Sequence, residues 1–182
     1  FAEANFVTCR KWDFETRDIT DADIQCLEGL PELEGLDLHS TEITDAGLVH
    51  IKKMTRLQSL DLTFTKITGA GLKNLEGLTC LQTLKLHWTN ADDEGLKHIK
   101  GMSQLRQLYL GNTQITDAGM KYLMAFGQLR NLDLQNTQIT DAGLENLKPL
   151  CELQWLGLGS THTTNAGVKT LKQALPNCEI LH

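Results

Sequence analysis

Leu57-Gln-Ser-Leu60-Asp-Leu62-Thr-Phe-Thr65-Lys-Ile67-Thr68-Gly-Ala-Gly71-Leu72 changes its hydrophobic period partway along. Leu60 and Leu62 alternate with polar residues, the period-2 pattern of a short strand with one buried face. From Leu72 the apolar residues fall three apart, through Leu75 and Leu78, which makes one stripe of a short helix. The stretch therefore predicts strand, turn and helix within two dozen residues.

The same phrase recurs along the chain. Leu33, Leu57, Leu81, Leu105, Leu129 and Leu153 open successive copies, each 24 residues after the last. One period earlier, Cys9, Trp12 and Phe14 take the anchor positions, followed in register by Ile19-Thr20-Asp21. The reading divides the chain into an N-terminal cover segment (1–8), seven 24-residue repeats (9–177) and a terminal partial strand (178–182). No unit of this length closes its own core, whereas stacked copies bury one continuous leucine column beside a parallel sheet.

Each helix start carries its own signals. Thr44, Thr68, Thr116 and Thr140 stand where N-caps are needed, and Asp45, Asp117 and Asp141 follow them. A threonine hydroxyl satisfies a free amide, and an aspartate complements the positive end of the helix dipole. Gly47, Gly71, Gly95, Gly119, Gly143 and Gly167 form a column inside the helices despite glycine's helical penalty. A side chain there is expected to push the helix off its neighbour.

With Lys+Arg at 17 against Asp+Glu at 23, the 182-residue chain has a net charge of −6. That balance argues against nucleic acid as partner, which requires a clustered basic face. Hydrophobic residues at 41% exclude intrinsic disorder. No apolar run approaches the roughly 20 residues of a membrane span, so no membrane insertion is expected. Five scattered cysteines, an odd number, lean toward a reducing, cytoplasmic compartment, though the location stays open.

The pattern Leu-x-x-Leu-x-Leu-x-x-Thr-x-Ile-Thr-Asp-Ala-Gly-Leu resembles the leucine-rich repeat family, in the form found in large bacterial repeat proteins. The resemblance implies an α/β fold: a right-handed, curved solenoid with a concave parallel β-sheet and short convex helices. It also implies a non-catalytic module for protein–protein interaction that needs no cofactor. Two alternatives stay open: a structural spacer in a larger bacterial protein, and the substrate-recognition arm of an F-box-like ubiquitin ligase adaptor or effector. The family's usual asparagine or cysteine after the strand is threonine here, at Thr41, Thr65, Thr89, Thr113, Thr137 and Thr161. A hydroxyl must therefore make the turn.

In such a stack, equivalent positions line up about 4.8 Å apart and can be read as columns. The outward strand column holds Asp13, Asp37, Asp61, Lys85, Tyr109 and Asp133. Two positions on lie Glu15, His39 and His87, and next to them Phe64 and Trp88; Trp155 stands apart, nearer the C-terminus. The expectation is an acidic concave half at Asp13, Glu15, Asp37 and Asp61, bordered by the aromatics. Aromatics beside charge are what interfaces concentrate, so these positions are the candidate contacts for a protein partner, one with a basic segment above all.

Catalytic and metal readings are weaker. Asp37 and Asp61 pair two carboxylates, but an open sheet neither excludes water nor raises a pKa. His39 and His87 stand two rungs apart, about 10 Å, too far to share a metal ion. Asp92-Asp93-Glu94 reads as a dipole complement at a helix start. The C-terminus ends without a helix to cover its last rung, which raises end-to-end self-association as an expectation.

Overall fold

The structure is a computed structural model and describes residues 6–8 and 19–182. Among the described residues, eight three-residue strands form one parallel sheet in strictly sequential order: β1 (Phe6–Thr8), β2 (Gly35–Asp37), β3 (Ser59–Asp61), β4 (Thr83–Lys85), β5 (Gln107–Tyr109), β6 (Asn131–Asp133), β7 (Trp155–Gly157) and β8 (Glu179–Leu181). From β2 to β8 each residue pairs with the one 24 positions on, as in Leu60 with Leu84 and Leu84 with Leu108. A strand this short is unstable alone. What holds it is the layer behind, where Leu36, Leu60, Leu84, Leu108, Leu132 and Leu156 are all buried.

The first rung departs from the 24-residue period. β1 sets Val7 against Leu36 and Thr8 against Asp37, so the expected cover segment contains the first described strand. The expected strand positions Trp12 and Phe14, with Cys9, Asp13 and Glu15, lie outside the described residues.

Behind the sheet run α1 (Asp21–Ile24), α2 (Asp45–Ile51), α3 (Asp93–Ile99), α4 (Asp117–Leu123), α5 (Asp141–Leu144) and α6 (Asn165–Ala174). The third rung has only a 3₁₀ segment, Gly71–Leu75, and the sixth passes from α5 into another, Glu145–Leu147. Both carry an asparagine at the position where α2, α3 and α4 have His50, His98 and Tyr122; the first rung also turns 3₁₀, over Gln25–Gly29, with Cys26 there. Asn74 and Asn146 donate side-chain N–H bonds to the carbonyls of Gly71 and Gly143. Such a side chain competes for the acceptor that an α-helical amide would use.

The turn after each strand is closed by a hydroxyl, as expected. Thr65 Oγ1 donates to the Leu62 carbonyl at 2.7 Å, and Thr41, Thr89, Thr113, Thr137 and Thr161 do the same in their own rungs. Three of the four expected threonine caps are present: the Thr44, Thr116 and Thr140 hydroxyls accept the N–H of Ala46, Ala118 and Ala142 at 3.2 Å, whereas Thr68 precedes the 3₁₀ segment and makes no side-chain cap bond.

The helix-start aspartates do more than complement a dipole. Asp45 reaches the next rung, where Oδ1 accepts the Thr68 N–H at 2.8 Å and Oδ2 the Thr68 hydroxyl at 2.6 Å. The pattern repeats from Asp21 to Thr44, Asp93 to Thr116, Asp117 to Thr140 and Asp141 to Thr164. The glycine column makes room for it. A β-carbon on Gly71 would lie 2.1 Å from Asp45 Oδ1, and one on Gly143 would lie 2.3 Å from Asp117 Oδ1.

Two successive rungs break the pattern together. Gly69 replaces the aspartate, and Asp92 replaces the threonine that it would have held. Asp92 instead caps its own helix by accepting the Gly95 N–H at 2.9 Å. A β-carbon on Gly69 would stand 1.8 Å from Asp92 Oδ1, so an aspartate there meets both a clash and a like charge.

Gly69→Asp alone is expected to destabilise the chain by about 1–3 kcal/mol, the usual cost of overpacking. Adding Asp92→Thr restores the pattern of the other rungs and should recover at least half of that loss. Urea unfolding of the four members of this mutant cycle measures it, and strictly additive effects would refute the coupling.

Candidate functional site

The residue three positions after each outward strand position has a positive φ: Ser40, Phe64, Trp88, Asn112, Asn136 and Ser160 lie between 52° and 58°. Asparagine tolerates this left-handed region through local hydrogen bonding, whereas bulky side chains there are strained. Two consecutive rungs nevertheless place aromatics in it. Phe64 and Trp88 are 49% and 53% exposed, and their rings stack at 5.3 Å with an interplanar angle of 12°. His39 meets the Phe64 ring edge-on at 5.7 Å, and His87 packs at a tilt on Tyr109 at 5.5 Å. The concave face thus carries two aromatic and imidazole groups, His39–Phe64–Trp88 and His87–Tyr109, spread over four rungs.

The aspartates are arranged differently from the expected open acidic patch. Asp37 is only 3% exposed and accepts the His39 N–H at 3.0 Å. Asp61 accepts the Thr63 N–H at 3.0 Å, and Asp133 the Gln135 N–H at 2.9 Å. Each folds back on the amide two residues on, which fixes the turn leading to the positive-φ position. Asp61 is also neutralised within the chain by Lys85 Nζ at 3.0 Å. Burial pushes the Asp61 carboxyl up, but the hydrogen bonds from Thr63 and Lys85 overcome this and hold it below its ordinary value.

Beyond the stack the face is hollowed. Gly111 stands where neighbouring rungs carry His87 and Gln135, and a β-carbon there would lie 2.7 Å from His87 Nδ1. The resulting concavity of about 270 Å³ is lined by Phe64, His87, Trp88, Gly111, Asp133 and Gln135 among others. Trp155 lies apart from it: its indole covers Gly157, with Cη2 2.8 Å from where a β-carbon would be.

Of the residues singled out by sequence, His39, Asp61, Phe64, Lys85, His87, Trp88, Tyr109 and Asp133 come together on adjacent rungs. Asp37 is drawn into the turn beneath them. Gly111 and Gln135 share the column of His39 and His87 but were not among the expected contacts; with Thr63 and Gly159 in the same column, nothing in the sequence singles out Gly111. On the convex side, His50 and His98 are not simply solvated. Each Nδ1 lies 2.7 Å from a glutamate of the preceding rung, Glu28 and Glu76 respectively.

This sheet, its leucine columns and its threonine turns define the fold of a leucine-rich-repeat solenoid. The family model described as Leucine Rich repeat matches residues 53–75, 102–124 and 129–148. Among solved structures the chain is similar to internalin C2 from Listeria monocytogenes strain 4b F2365. The identity is 26% and the TM-score 0.74, over 98% of this chain and 70% of that one. The search of curated proteins gives no match. The architecture is typically a non-enzymatic scaffold for protein interaction. Among the described residues no helix is long and apolar enough to cross a membrane.

The double variant Phe64→Asn/Trp88→Asn relieves two strained positions, each costing on the order of 1 kcal/mol, and forfeits one ring stack worth about 0.5–1.5 kcal/mol. It should therefore be at least as stable as the parent in urea unfolding, up to about 1 kcal/mol more so; a loss above 1 kcal/mol would show that the pair serves folding.

The Asp61–Lys85 pair gives a pH-dependent prediction. A carboxyl lowered on folding contributes stability above its unfolded value, near the ordinary 3.8, and that contribution is lost as pH falls through the folded value. Lys85→Met should accordingly lower the thermal midpoint at pH 7 and leave it little changed at pH 2; equal losses at both pH values would exclude the ion pair as the cause.

Proposed function

We propose that the chain is a non-catalytic protein-interaction module that binds a partner protein on its concave face. Phe64 and Trp88 are the anchors, flanked by His39, Asp61, Lys85, His87, Tyr109 and Asp133. Trp155 makes a secondary contact. One observation carries this reading: two bulky aromatics are held half-exposed and stacked in a backbone conformation that disfavours them. The neighbouring rungs meet the same turn with serine or asparagine, so folding does not require the rings. Backbone strain that exceeds the return from one ring stack is expected where binding is selected.

The charge of the face adds a preference. The chain is acidic overall, and Asp133, the concave carboxylate with no lysine beside it, favours a partner segment carrying basic residues. Aromatic side chains close to carboxylates form the kind of centre that dominates protein interfaces.

Selection of a random peptide library on the immobilised chain tests the reading. Enriched peptides should bind the Phe64→Asn/Trp88→Asn variant at least tenfold more weakly and should be richer in basic residues than the starting library. Peptides that bind both forms equally would place the recognition surface elsewhere.

A further inference from the structure

The three described aspartates of the concave column differ in what surrounds them. Asp37 and Asp133 are both buried in their turns, at 3% and 7% exposed, and Asp61 faces Lys85 at 3.0 Å. Asp133 sits between Tyr109 on one side and Gly157 on the other, with no lysine in the adjoining rungs of its column. Its Oδ1 takes the Gln135 N–H, while Oδ2 has only long contacts, to Gln135 Nε2 at 3.4 Å and His87 Nε2 at 3.6 Å. An ionised carboxylate accepts about four hydrogen bonds, so Oδ2 can take a strong donor. It lines the hollow that Gly111 keeps open, and Trp88 borders the same hollow with a half-exposed indole.

We propose that this hollow is the receptor for a single arginine side chain of the protein partner. The inference rests on the concave face being the binding surface and adds the chemistry of one contact. Three features converge on a guanidinium. The indole offers a flat π surface, on which a planar delocalised cation stacks well. The carboxylate oxygen with weak partners supplies the opposite charge. The side chains of Gln135 and Asn112 line the same hollow and give it a polar rim, suited to a group that carries five N–H donors. A lysine ammonium satisfies the charge alone, is more strongly hydrated and cannot stack, so the site should discriminate between the two.

Titration of the ¹⁵N-labelled chain with N-acetyl-arginine amide, and separately with N-acetyl-lysine amide, tests the assignment without the partner. Saturable shifts of the Gly111 amide and the Trp88 indole N–H are expected with the arginine compound at millimolar concentration, with at least a fivefold weaker response to lysine. Asp133→Asn keeps an oxygen for the Gln135 N–H but removes the charge, and should weaken arginine binding at least fivefold. Trp88→Asn, which leaves the carboxylate in place, should do the same. Equal responses to arginine and lysine, or arginine binding unchanged in both variants, would overturn the proposal. In that case peptide selection would still decide on its own whether the concave face binds protein.

Discussion

The fold depends on a carboxylate that serves a neighbour. In five pairs of successive rungs an aspartate accepts both the amide and the hydroxyl of the threonine 23 residues on, as Asp117 does for Thr140. Leucine packing drives the stack together, but burial is non-directional and tolerates sliding. The paired bonds do not, because two donors on one residue must meet two oxygens of one carboxylate. This clamp on the helix side and the strand register on the sheet side hold each rung at two separated points. The Thr-Asp-Ala-Gly phrase is thus one device: threonine donates backward, aspartate accepts from the next rung, and glycine leaves the space that the preceding carboxylate fills.

How much of this was legible varies from residue to residue. The 24-residue leucine period was sufficient for the strands, the core columns and the threonine turns, because each follows from which side chains can be buried together. The recipient of each aspartate was not legible. Asp45 at a helix start is already accounted for by the dipole, and nothing in the linear order says that Thr68 lies within bonding distance. The concave aspartates were read as exposed because alternation puts them on the open face. Their return to the amide two residues on depends on turn geometry that alternation does not encode. The pairing of Phe6–Thr8 with Gly35–Asp37 was not legible either, because those residues stand outside the 24-residue spacing.

The positive-φ column shows how scaffold and site divide the work. Ser40, Asn112, Asn136 and Ser160 are residues that a left-handed turn accepts, and they were the signal that Phe64 and Trp88 were out of place. Their rings lie on the rim of the ladder, away from the leucines, so binding residues can change there without touching the core. The stability of the stack and the chemistry of its face are therefore controlled by different positions in the same repeat.

The spacing of the rungs also has a bearing on what can lie along them. Two rungs span about 9.6 Å, from strands set about 4.8 Å apart. A chain in the polyproline II conformation brings a side chain back to the same direction every three residues, about 9.3 Å. A fully extended chain alternates direction and drifts out of step within a few residues. A ligand running lengthwise in the first conformation keeps every third side chain over the same column of alternate rungs, so the pitch of the ladder acts as a ruler for the backbone that crosses it.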